Sequence, residues 1–133
     1  MGFLLRFDHE KWRVVVEDDD AVAYAYLLDG DAIVSDVWLY NCGPDPVERP
    51  WRDGAEGPFC NPAEFTSGDD VGEPVGSSAV GVRWLGADGS GIRAAVLLRE
   101  RAIAWLEPGA RPGWSVRVVK DGPLAKRAAD RNG

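Results

Sequence analysis

An Asp-Gly pair between two runs of alternating apolar residues restricts this chain more than any other feature. Residues 21–41 read AVAYAYLLDGDAIVSDVWLYN. Both central residues of a type I′ turn need positive φ, which Asp29 and Gly30 tolerate, so the stretch predicts a β-hairpin. Pairing Leu28 with Asp31 places Tyr26 opposite Ile33, Tyr24 opposite Ser35 and Val22 opposite Val37. On the other side of the ribbon Leu27, Ala25, Ala23 and Ala21 meet Ala32, Val34, Asp36 and Trp38. A hairpin apolar on both sides belongs in the middle of a sheet or in the wall of a sandwich or barrel, because an exposed one invites edge-to-edge aggregation.

The flanking sequence has the same grammar. Phe3 to Phe7, Trp12 to Val16, Ala79 to Leu85, Ile92 to Leu98, Ala102 to Leu106 and Trp114 to Val119 all read as strands, bounded by turn residues. Glu17 to Asp20 reads as a turn. About eight short strands with almost no helical period predict a mainly β chain, a single-domain antiparallel β-sandwich or small barrel. The 133 residues suit one core rather than two. After Asp121 the tail reads either as a short helix over Leu124, Ala125 and Ala128 or as a frayed end.

Residues 42–78 depart from this pattern, with six prolines and six glycines in 37 residues. They predict one long Pro/Gly-rich loop pinned to the sheet by Trp51 and Phe59, with a helical turn at Asn61 to Glu64 and greatest mobility over Ser67 to Ser78.

Charge is unevenly distributed beneath a net −7. Residues 1–41 carry nine acids and three bases, 42–78 eight and two, and 79–133 five and ten. The acidic first two segments predict a surface for a basic protein partner, as in an antitoxin or immunity factor. Nucleic acid is disfavoured, since phosphate contacts need a clustered basic surface. No run is long and apolar enough to span a bilayer, and the N-terminus lacks the apolar core of a secretory signal, so a cytoplasmic location with no membrane contact is expected.

Chemistry-bearing motifs are sparse. His9 is the single histidine, and no nucleophile, base and orienting group can be read together. No catalytic residue, metal site or cofactor is assigned, which leaves an enzyme as the less favoured class. Cys42 and Cys60 are expected to be free thiols in a reducing compartment. Two residue sets remain. Asp45, Glu48, Asp53, Glu56 and Glu64 surround Trp51 and Phe59 on the long loop, a pattern of aromatic anchors ringed by charge that suits a partner-binding surface. Asp36, Trp38 and Tyr40 fall by alternation on the face of Ala21, Ala23 and Ala25, with Arg83 or Arg93 as the expected partner of Asp36. That wall is the candidate ligand site of an alternative reading, a small-molecule-binding β-barrel or an enzyme built on one.

Overall fold

A computed structural model describes residues 2–42, 45–51, 58–66, 76–86 and 91–128. Within them lie two β-sheets. The first has the order β1 (Phe3–His9), β2 (Trp12–Asp18), β3 (Val22–Asp29), β4 (Ala32–Asn41), each antiparallel to its neighbour. Alternation sets its faces: Phe3, Leu5 and Phe7 pair with Asp18, Val16 and Val14 on the core side, whereas Leu4, Arg6 and Asp8 point outward. The acidic run between β2 and β3 is only in part the turn expected of it: Glu17 and Asp18 extend β2 and pair with Tyr24 and Ala23, and Asp19 and Asp20 alone enter the turn to β3. Asp19 Oδ1 accepts the amides of Ala21 and Val22, both at 2.9 Å, and Asp18 Oδ1 accepts that of Asp20 at 2.9 Å.

The central hairpin forms with its turn one residue further along the chain, so that Leu28 faces Ile33 rather than Asp31, a register shift of two residues. Asp29 faces Ala32, so the two turn residues are Gly30 and Asp31 rather than Asp29 and Gly30. Positive φ then falls on Gly30 alone of the pair, at 61°. That is the requirement of a II′ turn, and it spares Asp29 the left-handed region that is costly for an L-residue. Two irregularities follow, between Leu27/Leu28 and between Ala23/Tyr24, where β4 carries Val34 and Leu39 as extra residues. Tyr26 therefore opposes Asp36, Tyr24 opposes Trp38, and Ala23 opposes Tyr40.

The second sheet contains β5 (Val80–Leu85), β6 (Arg93–Leu98), β7 (Arg101–Leu106), β8 (Trp114–Ser115) and β9 (Lys126–Arg127) in that order, with β8 and β9 parallel. A single 3₁₀ turn, Ser77–Ala79, precedes it. The strand expected from Trp114 to Val119 is cut to two residues. In its described part, up to Ala128, the tail forms β9 in place of either the short helix or the frayed end, with Leu124, Ala125 and Ala128 buried. These three side chains are covered because the segment docks on neighbouring strands, a tertiary contact with no periodic signature.

The sheets are joined along the outer edge of β4. Gly109 donates its amide to Val34 O at 2.9 Å, Gly113 donates to Asp36 O at 2.6 Å, and Trp38 donates to Leu124 O at 2.9 Å. Backbone groups of alternate residues along β4 are thus satisfied by the segment that follows β7. At the other side of the molecule, His9 on β1 stacks on Trp84 of β5 with ring centroids 5.4 Å apart. The main core spans both sheets: Val14, Val16, Leu27, Val37 and Trp38 from the first share a cluster with Val96, Ile103 and Leu106 from the second, while Ala95, Trp105 and Ala128 form a smaller cluster of their own. No helix among the described residues is long and apolar enough to cross a membrane.

Gly113 is the tightest point of this junction. A Cβ there would collide with the carbonyl of Trp105 and touch Val37 Cβ at 3.5 Å, while Gly113 O accepts the Lys126 amide at 2.8 Å. Because both neighbours are backbone or buried core, Gly113→Ala is expected to destabilise the fold by about 1–3 kcal/mol, read as a lowered urea midpoint. An unchanged midpoint would show that the junction yields.

Candidate binding surface

The shifted register separates the three residues that alternation had placed together. Directly opposed residues of an antiparallel ladder share a face, so Asp36 and Trp38 lie with Tyr26 and Tyr24, whereas Tyr40 lies with Ala23 on the core side. Asp36, Trp38 and Tyr40 therefore form no single wall. Each has its own partner. Asp36 Oδ2 accepts Nη2 and Nε of Arg111 at 2.9 and 3.0 Å, not Arg83 or Arg93, because Gly113 N on Asp36 O brings the 109–113 segment alongside β4. Trp38 donates Nε1 to Asn41 Oδ1 at 2.9 Å.

Tyr40 belongs to a buried polar group with no counterpart in the sequence reading. Its hydroxyl donates to Asp18 Oδ2 at 2.7 Å, and Asp18 is only 7% exposed. Asp18 also accepts from the Cys42 thiol, Sγ to Oδ1 at 3.4 Å. Burial, reinforced by the hydrogen bond and charge of Asp18, pushes the Tyr40 phenol well above its ordinary range. Partial burial and the same carboxylate push the Cys42 thiol up to about 12. Cys60 donates Sγ to Ala21 O at 3.4 Å, and its thiol is raised chiefly by burial. Both cysteines are free thiols, held in the protonated, unreactive form at neutral pH.

Two pieces of the segment expected to be one long loop, 45–51 and 58–66, are described, and they dock on the face that carries Tyr24 and Trp38. Asn41 is the clasp. Its Nδ2 donates to Asp45 Oδ1 at 2.7 Å and to Asn61 O at 2.8 Å, while its Oδ1 accepts the Asn61 amide at 2.8 Å as well as the Trp38 indole. Tyr24 donates its hydroxyl to Phe59 O at 2.7 Å. Trp51 and Phe59 are partly buried against the core, and Trp51 packs tilted on buried Phe65 at 5.6 Å between centroids. The Asn61 to Glu64 stretch is a turn closed by Phe65 N to Pro62 O at 2.9 Å rather than a helix.

The loop acids are less available than their sequence suggests. Asp45 uses Oδ1 on Asn41 and accepts the Thr66 hydroxyl on Oδ2 at 2.7 Å. Glu64 holds Arg49 at 2.7 Å and Lys120 at 2.9 Å, and these hydrogen bonds keep its carboxyl down near about 2. Glu48 is exposed beside Val47, which is 87% exposed. Asp53, Glu56 and residues 67–75 of the segment expected to be most mobile lie outside the described residues.

An open surface lies instead on the outer side of the first sheet. Leu4 faces Glu17, Arg6 faces Val15, and Val15 in turn faces Tyr26; Leu28 faces Ile33. Leu4 and Ile33 are 52% and 43% exposed, and Val15, Tyr26 and Leu28 are half-buried. An antiparallel sheet with a solvated face ordinarily shows polar residues there. The pattern escaped the sequence reading because the register sets which side chains adjoin one another. No protein-family model, curated protein or solved structure matches this chain.

Two outcomes are expected. Asn41→Ala strands several donors and acceptors of the loop clasp and should cost about 1–3 kcal/mol, measured by urea denaturation; no loss would mean that the aromatic contacts hold the loop alone. The second concerns pH. Below about pH 10 the phenols are protonated in folded and unfolded chains alike, whereas above it the unfolded chain releases protons that folded Tyr40 retains, so stability falls as pH rises. Tyr40→Phe should flatten the decline in urea midpoint between pH 9 and pH 11; parallel profiles would exclude Tyr40 as its source.

Proposed function

We propose that this domain is a small acidic binding protein that occludes a basic protein partner, in the manner of an antitoxin or immunity factor, and that the outer face of its first sheet makes the contact. The observation that carries the reading is the partition of charge between the sheets. Residues 2–42 hold nine acids and three bases, whereas the described residues from 76 to 128 hold three acids and nine bases. One sheet is therefore strongly acidic, and a field of that sign steers a cationic surface toward it. The half-buried apolar residues Val15, Tyr26 and Leu28, with exposed Leu4 and Ile33, supply what charge alone does not: a desolvating centre inside a charged rim.

The docked loop flanks this face on the Tyr24 side and adds Val47 and Glu48. Trp51 and Phe59 serve the reading indirectly, by holding the loop in place.

Installing a photo-crosslinking residue at position 33 should capture a basic protein from the source cell, in a yield that falls with added salt. The double variant Glu17→Lys, Asp31→Lys should keep the parent urea midpoint and lose capture. Capture that persists through the charge reversal, or that occurs only from sites on the second sheet, would overturn the proposal.

A further inference from the structure

A cleft of about 610 Å³ opens between the sheets, at the end where the β1–β2 turn meets the ends of β5, β6 and β7. Trp12, Gly86, Gly91, Ile92, Arg93, Glu107 and Pro108 line it. Its volume falls within the range of small-molecule sites. Trp12 opens β2 on the core side of the first sheet, opposite His9, so it stands at the mouth of the inter-sheet core. Lys11 places Nζ 4.8 Å from the centroid of the Trp12 ring while remaining 3.5 Å from Asp29.

Arg93 is the informative residue. It is half-buried, and among the described residues its guanidinium makes no hydrogen bond or ion pair. A guanidinium on a cleft wall that no protein anion engages keeps its five donors available to a ligand. An arginine that lines the same cleft as an aromatic ring has the makings of a carboxylate site, since its planar fork matches a carboxylate with two parallel hydrogen bonds. Glu107 limits the choice further. Its negative charge on the same cleft disfavours dianions and polyanions, nucleotide phosphates included, more than it disfavours a single carboxylate.

We propose that the cleft binds a small aromatic monocarboxylate, with its carboxylate on Arg93 and its ring against Trp12. The site is separate from the outer face of the first sheet and does not depend on the partner-binding reading.

Phenylacetate is the probe, followed by the indole N–H resonances of ¹⁵N-labelled protein, with the Trp12 signal assigned by Trp12→Phe. Phenylacetate in the millimolar range should shift the Trp12 resonance, and phenethylamine, which has the ring and the opposite charge, should not. Arg93→Gln should weaken phenylacetate by about tenfold or more, and Arg93→Lys, which keeps charge but loses the fork, should fall between. Arg83→Gln, on the neighbouring strand and outside the cleft lining, should leave binding unchanged. Glu107→Gln should strengthen phenyl phosphate relative to phenylacetate. The proposal is overturned if phenylacetate leaves Trp12 unmoved, if phenethylamine shifts it equally, or if folded Arg93→Gln or Arg93→Lys protein binds as well as the parent.

Discussion

The hydrogen bonds along the outer edge of β4 hold the architecture together. Val34, Asp36 and Trp38 present backbone groups that would otherwise form an open sheet edge beside the most apolar strand in the chain. An edge of that kind is a template for association. Here the 109–124 segment covers it, and the covering brings β7 and β8 against β4, so that edge protection and core assembly are one event. The Arg111 contact to Asp36 and the Ser35 hydroxyl donated to Ala110 O at 2.5 Å follow from the same placement. Being partly solvated, the ion pair adds little stability of its own. Gly113 marks how little space the junction leaves.

Polar side chains do at the ends of the strands what backbone groups do at the edge. Asn41 and Asp18 sit at the same end of the first sheet. Asn41 satisfies the backbone amide and carbonyl of Asn61 and the carboxylate of Asp45, and Asp18 satisfies a turn amide, a phenol and a thiol. Buried polar groups are tolerable only when their hydrogen bonds are made, and here they fix the path of the loop. The carboxylates that such work consumes are withdrawn from any partner. Asp45 and Glu64 are of this kind, which leaves the sheet surface as the stronger binding candidate.

Segregation of charge between the sheets is visible both in the sequence and in the fold. It is only partly cancelled, as by the Arg111 pair with Asp36, because the core between the sheets is largely aliphatic and aromatic and Asp18 is the buried charged residue among those described. The resulting field is a property of the whole domain and acts over a screening length of about 8–10 Å at physiological salt. The Arg93 cleft lies where the two fields meet, which is consistent with a site that carries both a guanidinium and a carboxylate.

How much was legible in the sequence differs by level, for a physical reason. Alternation, turn residues and counted charge are local, and from them the strands β1 to β7, the hairpin about Gly30, the turn at Asp19 and Asp20 and the acidic bias of the first 41 residues follow directly. Pairing is not local. The two-residue shift at the turn left the faces unchanged, but the bulge at Val34 moved Asp36 and Trp38 to the opposite face and the bulge at Leu39 returned Tyr40, because side chains in a strand alternate with period two and any single insertion inverts everything beyond it. The partner of Asp36, the burial of Asp18, the cover over Leu124 and Ala128, and the outward apolar row through Val15, Tyr26 and Ile33 all depend on contacts between residues far apart in sequence. The chain alone therefore determined which segments are strands and where charge is concentrated. Only packing decided which side chains share a face, and with that the location of every candidate site.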